Sequence, residues 1–359
     1  MRGDANLELL TAGRISIDLY CDQIGADWHE ANSFNKAVGG SPTNVAVAAA
    51  RLGRRAAVFT KVGSDPFGGV ALEELRDHGV DVRFVGTADG LVTPIAFAIL
   101  DPPEEPQLLF RRDVPVPDLQ LTPAEIDLRA VSDVPVLWIS GGALSQEPSA
   151  STMEELLRLR GHRPHTILDL DYRPTLWRSR EQASGRIGAA VSHATITVGT
   201  REECAVAVGT EEPREAARRL RERGVELAIV KLGGDGVLFA DADGERVIEP
   251  LRVPVVCGLG AGDAFGGALC HGLLSRWPHE QTLSFANAAG GIVASRLLCS
   301  RAMPYEREVL GLLEQQGRCH DRGYRQASHP PVSGRLTSLD AIGSAQDGES
   351  FSTWPTPRP

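Results

Sequence analysis

The segment Gly258-Leu-Gly-Ala-Gly-Asp263, followed by the small, apolar run Ala264–Leu274, has the composition of a glycine loop opening a buried helix. Such a loop aims several backbone N–H groups at one spot, and the helix dipole adds partial positive charge there, so the segment reads as an anion site. It does not match the GxxxxGK[ST] phosphate loop, and Asp263 stands where the dinucleotide fingerprint GxGxxG requires its last glycine. A carboxylate at a helix start is ordinarily a cap. Beside bare N–H groups it can also take a proton from an alcohol while those groups hold a transferring phosphoryl. Two further clusters, Lys231-Leu-Gly-Gly-Asp-Gly236 at a strand end and Gly39-Gly40-Ser-Pro-Thr-Asn44 at a helix start, would each alone read as a turn. Three such loops, with Asp18 at the end of the first predicted strand, point to a binding site.

The elements that must position these loops alternate between strand and helix, which predicts an α/β fold with a mostly parallel sheet. Strands are expected over Gly13–Leu19, Ala56–Val62, Val136–Ser140, Thr166–Asp171, Ala194–Val198 and Leu227–Leu232, with a hairpin of Val237–Phe239 and Arg246–Ile248 about Asp243-Gly244. Ser41-Pro42 and Asp65-Pro66 mark helix starts, and Gly53 and Gly79 the corresponding stops; a third helix follows Pro213 and ends near Gly224. Tyr20–Val38 and Leu91–Asp113 break the alternation and read as a small accessory sheet. Periodicity ends near Gly317, so the expected division is a domain over 9–316 and a disordered tail over 317–359.

Composition narrows the function. The 359 residues carry a formal net charge of −10 and no Arg/Lys-rich block, which argues against nucleic acid as a partner. No apolar run approaches the roughly 20 residues of a membrane span, and residues 1–10 lack the features of a leader, so a cytoplasmic protein is expected. Six cysteines without a CxxC pair suggest buried thiols rather than zinc or disulfides. Glycine, at 38 of 359 residues, is well above the average of roughly 7%. Twelve of these lie between Lys231 and Gly291, the stretch expected to surround a nucleotide.

Asp18, Gly39-Gly40 with Asn44, Gly63-Ser-Asp65 with Gly68, Asp171-Tyr-Arg173, Glu203, Lys231-x-Gly-x-x-Gly236 and Gly260-Ala-Gly-Asp263, in this order, resemble the ribokinase-like sugar kinases, the PfkB carbohydrate kinase family. The resemblance implies a three-layer sandwich around a mostly parallel sheet, with the accessory stretches 20–38 and 91–113 forming a β-sheet lid. It implies ATP and Mg2+ as cofactors and a small-molecule sugar acceptor, with a homodimer through the lid as a possible assembly. By the family pattern Asp263 is the general base, Gly260, Ala261 and Gly262 stabilise the γ-phosphoryl, and Asp18, Gly39, Gly40 and Asn44 hold sugar hydroxyls. Lys231, Gly233 and Gly236 match the nucleotide loop, Asn287 and Ala288 the adenine pocket, and Glu203 the acidic residue that orients Mg2+ through water.

Within the family, Asp169-Leu-Asp-Tyr-Arg-Pro-Thr-Leu-Trp177, Gly199-Thr-Arg-Glu-Glu203 and Ser300-Arg-Ala-Met-Pro304 most resemble the sugar-acid kinases of inositol catabolism, which phosphorylate the 6-hydroxyl of 5-dehydro-2-deoxy-D-gluconate. The resemblance assigns Arg111 to a two-point clamp on the substrate carboxylate, with Arg112 facing solvent. It places Asp171 at the substrate and Arg173 at the transferring phosphate, an ion pair with Asp169 or Asp171 being the plain structural alternative for Arg173. Cys257-Gly258 replaces the family's Asp-Thr pair, which removes an expected ligand of a monovalent cation. A 2-dehydro-3-deoxygluconokinase or a fructokinase is the alternative within the family, and a non-catalytic sugar or nucleotide sensor the alternative outside it.

Overall fold

Thirteen strands and ten α-helices are laid down along the chain of this computed structural model, which describes residues 7–102 and 106–317. The strands are β1 (Leu9–Ala12), β2 (Ser16–Cys21), β3 (Phe34–Gly39), β4 (Ala56–Gly63), β5 (Val85–Ala88), β6 (Ile95–Ile99), β7 (Gln107–Arg111), β8 (Val136–Ser140), β9 (Thr166–Asp169), β10 (Ile196–Thr200), β11 (Leu227–Lys231), β12 (Val237–Asp241) and β13 (Gly244–Ile248). The helices are α1 (Ser41–Arg51), α2 (Pro66–Asp77), α3 (Leu128–Asp133), α4 (Ser149–Arg160), α5 (Arg180–Val191), α6 (Arg201–Val208), α7 (Pro213–Glu222), α8 (Ala261–Leu274), α9 (His279–Ala294) and α10 (Glu306–Gln315). Among the described residues no helix is long and apolar enough to cross a membrane. The expected tail over 317–359 lies, beyond Gly317, outside the described residues.

Nine strands form one sheet in the order β13-β12-β11-β10-β9-β8-β1-β4-β5, parallel throughout except for the antiparallel β12 and β13 at one edge. Both faces are covered, as a parallel sheet requires. Side chains alternate along each strand: Val136 and Trp138 join a core with α1, α8 and α9, while Leu137 and Ile139 join one with α4, α5 and α7. This is the three-layer sandwich that the resemblance implies. A separate four-stranded sheet, β3-β2-β6-β7, pairs β2 with β6 in parallel and is otherwise antiparallel.

Two local expectations are corrected. The single strand expected over Gly13–Leu19 is divided between sheets, because β1 ends at Ala12 and β2 begins at Ser16. Gly13 makes the break at φ 138°, and a Cβ there would lie 3.0 Å from Pro42 Cγ. Asp18 therefore sits within the small sheet, not at the end of a central strand. Ser41 is not a cap: Gly40, at φ 96°, occupies that position and Ser41 is the first helical residue. At α2, Asp65 caps as expected, accepting from the Phe67 N–H at 2.8 Å.

Candidate active site

A cleft of ≈ 1010 Å³ lies between the small sheet, the C-terminal ends of β9 to β11 and the start of α8. Strand C-termini with glycine loops opening into helices are where a parallel α/β sheet leaves room for ligands. Fourteen of the seventeen residues singled out in the sequence line it; Gly39, Arg111 and Ala288 do not.

At the N-terminus of α8, Gly260 is left-handed at φ 80°, and a Cβ there would come 2.7 Å from Cys299 Sγ. Only glycine meets both demands, and the turn leaves the first N–H groups of α8 without intrahelical partners. Asp263 stands three residues into the helix, where its Oδ2 accepts from Asn44 Nδ2 at 2.8 Å. Asn44, at the start of α1 and 2% exposed, spends its amide on that bond, and its Oδ1 has no partner. Burial raises the Asp263 carboxyl above its usual range, opposed by hydrogen bonds from Asn44 and Ser41. A carboxylate so placed, next to unpaired N–H groups, can accept a proton from a hydroxyl while the helix start holds an anion.

The inner face of the small sheet brings Ser16, Asp18 and Tyr20 to the same cleft. Ser16 Oγ donates to Asp18 Oδ1 at 2.6 Å and the Tyr20 hydroxyl to Oδ2 at 3.4 Å. Burial outweighs both bonds and lifts Asp18 to about 6. Gly39 acts behind this carboxylate, since a Cβ there would fall 2.0 Å from Asp18 Oδ2. It clears space for Asp18 and does not itself line the cleft.

The strand ends supply charge. Asp171 follows β9 at φ 30° and accepts from Ser140 Oγ and Arg14 Nη2, both at 2.6 Å. Burial would raise it, but Arg14 and Arg173 hold it at about 2. Arg173 pairs with Asp171 at 3.4 Å and with Glu203 at 3.2 Å, so its ion pairs run to Asp171 and Glu203, not Asp169. Asp169 is pushed up to about 7 by burial, and its Oδ1 has no hydrogen-bond partner. Lys231, at the end of β11, reaches toward the start of α8: a Cβ on Gly262 would lie 3.4 Å from its Nζ.

Glu203 closes a capping box with Thr200, its Oε2 accepting the Thr200 N–H at 2.7 Å while Oε1 faces Arg173. No group of three or more His, Cys, Asp or Glu among the described residues could hold a metal alone. One or two carboxylates are what Mg2+ uses when it arrives with phosphate oxygens and its own waters, and Glu203 with the orphaned Asp169 Oδ1 fits that donor set.

Gly233 and Gly236, at φ 64° and 94°, line the cleft just beyond the end of β11. The second allows close approach of the following segment, a Cβ there falling 2.1 Å from the Ile248 carbonyl. On α9, Asn287, Gly290, Gly291 and Ala294 line the cleft at the i, i+3, i+4, i+7 spacing of one helix face. Ala288 is about 100° off that face and is fully buried in the core, which corrects its assignment to an adenine pocket.

The expectation for the lid arginines is reversed. Leu108 and Phe110 of β7 face the cleft together with Ala96 and Ala98 of β6, so Arg111, paired with Ile95, projects from the opposite face and is exposed. Arg112, expected in solvent, is half-buried and pairs with Asp118 at 2.7 Å. The arginines that do line the cleft include Arg14 and Arg173, both partners of Asp171. Arg14 was not singled out in the sequence; its signal is its place directly after Gly13, at the crossing between the two sheets. Of the twelve glycines between Lys231 and Gly291, eight line the cleft. Gly266, Gly267 and Gly272 instead allow α8 to pack closely, and Gly244 makes the β12–β13 turn.

The chain is similar to known carbohydrate kinases over most of its length. The profile of pfkB family carbohydrate kinases matches residues 6–305. A 5-dehydro-2-deoxygluconokinase of Geobacillus kaustophilus is 32% identical over 316 residues, covering 86% of this chain and 94% of the relative. One from Shouchella clausii is 33% identical over 314 residues, covering 86% and 96%. An Escherichia coli protein provisionally classed as ribokinase II, solved in complex with ATP and Mg2+, superimposes with a TM-score of 0.78 at 20% identity, covering 86% of this chain and all of that one. With the family profile spanning nearly all of the described residues, the chain belongs to the pfkB family and is a carbohydrate kinase.

Proposed function

We propose that this kinase transfers the γ-phosphoryl of ATP to the 6-hydroxyl of 5-dehydro-2-deoxy-D-gluconate. The observation that carries phosphoryl transfer is the Asn44–Asp263 pair beside the open N-terminus of α8. The acceptor is supported by the names of the relatives at 32% and 33% identity. Asp18, Gly40 and Asn44 hold the acceptor's hydroxyls, and Asp263 takes the proton of the attacking one as its oxygen bonds to the γ-phosphorus. The bond from that phosphorus to the bridging oxygen breaks, and ADP leaves with the electron pair. The N–H groups of Gly260, Ala261 and Gly262 take up charge on the equatorial oxygens, and Lys231 and Arg173 neutralise what remains.

Gly233, Gly236 and Asn287 bound the nucleotide side. Bound Mg2+ would supply charge neutralisation at the phosphates, with Glu203 and Asp169 oriented to its waters. Asp263 must be ionised to act, so its upward shift places the acid limb of activity above the ordinary carboxylate range. Under this reading the enzyme works in the cytoplasm, where its ATP is.

An acceptor panel with coupled ADP detection tests the reading. The expected order of kcat/KM places 5-dehydro-2-deoxy-D-gluconate above 2-dehydro-3-deoxy-D-gluconate and both above fructose. Turnover of fructose equal to that of the acids would refute the sugar-acid acceptor.

A further inference from the structure

Four basic side chains line the cleft: Arg14, Arg173, Lys231 and Arg252. Lys231 stands at the start of α8, and Arg173 bridges Asp171 and Glu203. Arg252 also lines a shallow depression with Gly234 and Asp235, away from Asp18. Arg14 is the basic group that acts electrostatically on Asp18, the carboxylate on the acceptor side. We propose that Arg14 holds the carboxylate of the acceptor and so sets the enzyme's preference for sugar acids over neutral sugars. This inference rests on the sugar-acid reading above and names the residue that would carry it.

The placement of Arg14 is built into the fold. It follows the Gly13 break, so its backbone runs between the end of β1 and the start of β2 while its side chain lines the cleft. The residue is 6% exposed. Its guanidinium has one protein partner among the described residues that fixes it in place, Asp171, bonded through Nη2 at 2.6 Å. Nε has no acceptor at all. Space for the group comes from Gly142, where a Cβ would fall 2.8 Å from Arg14 Nε and 3.1 Å from Asp171 Oδ2.

A guanidinium carries five N–H donors in a fixed plane, and one bond to Asp171 leaves most of them without an acceptor. Unmet donors in a buried setting are costly, and a planar anion entering from the cleft satisfies two of them at once. Arg111 cannot compete, because β7 turns it to the far face of the sheet. A purely structural role, holding Asp171 in its left-handed conformation, would use the single Nη2 bond and would not require the side chain to open on the cleft.

The test compares kcat/KM for 5-dehydro-2-deoxy-D-gluconate with that for fructose, in the native enzyme and in the Arg14→Lys and Arg111→Ala variants. Lysine keeps the charge that balances Asp171 but loses the planar fork. The acid-to-neutral ratio should fall roughly 30- to 100-fold in Arg14→Lys, carried by the KM for the acid. A ratio that stays at the native value, or one that falls as far in Arg111→Ala, overturns the proposal while leaving the sugar-acid reading intact. A native enzyme without preference for the acid removes that reading, and the proposal with it. Should Arg14→Lys fail to fold, a crystal structure of the native chain with D-gluconate decides. A carboxylate bonded to Arg14 supports the proposal, and one bonded to Arg111 or Arg173 overturns it.

Discussion

Gly267 offers a direct test of how packing governs chemistry in this molecule. It lies in the middle of α8, where replacement of glycine by alanine ordinarily stabilises a helix by about 1 kcal/mol. Here the added Cβ would meet Ala48 Cβ at 2.4 Å and Ala49 N at 2.8 Å, both fixed to the backbone of α1. Carbon atoms rest about 3.5 Å apart at closest, so α8 must move about 1 Å from α1. Overpacking of this kind costs about 3 kcal/mol, leaving a net loss of about 2 kcal/mol after the gain in propensity. The same displacement acts on function, because Asn44 belongs to α1 and Asp263 to α8 and their bond is 2.8 Å. An extra ångström takes it out of hydrogen-bond range and should lower kcat by about 10²-fold. Gly311→Ala in α10 is the control, since nothing lies within 4 Å of a Cβ there; it should gain about 1 kcal/mol and leave kcat unchanged. Urea denaturation and coupled ADP detection measure both effects. A Gly267→Ala protein as stable as the native one, with native kcat, would refute the link between helix separation and the site.

Three further outcomes follow from the cleft's carboxyl groups. Asp263→Asn keeps a partner for Asn44 and should lower kcat by about 10²- to 10⁴-fold while an ATP analogue still binds; native turnover would contradict Asp263 as base. With Asp18 at about 6, kcat/KM for the acceptor should climb as pH rises through that value, and Asp18→Asn should remove this limb; a level native profile across it would argue against Asp18 at the acceptor. Asp169, raised by burial to about 7, favours the fold fully below the ordinary 3.8 and loses that contribution as pH climbs through about 7. Asp169→Asn should therefore stabilise the protein on the order of 2 kcal/mol at about pH 8 and hardly at all at about pH 4, and a gain of equal size at both would contradict the sign.

What was legible in the sequence were features with local causes. Asp65-Pro66 fixes its own helix start through a cap bond two residues away, and Val136–Ile139 is apolar throughout because both faces of a central parallel strand are buried. The glycine loops were legible for the same reason, since Gly260 and Gly236 answer to backbone conformation. Features set by distant partners were not. Arg111 and Arg112 differ by one position, and only the pairing of β7 with β6 and the place of Asp118 decide that the first is exposed, the second held in an ion pair, and neither in the cleft. Ala288 and Asn287 likewise differ by one step of a helix whose rotation is fixed by packing against α8. Glycines that admit a ligand and glycines that admit a helix have the same composition, so only Trp138 and Ala48, standing opposite Gly266 and Gly267, separate these two from the glycines of the cleft.

The charges of the cleft suggest why so many carboxyl groups surround a site for anions. Arg14 and Arg173 are held by Asp171, and Arg173 also by Glu203, before any phosphate arrives. Free arginines in an apolar cleft would bind a polyphosphate tightly in every state, which lowers KM without raising kcat. Arginines already partnered and aimed lose little freedom when charge builds on the leaving bridging oxygen and spreads over the equatorial ones.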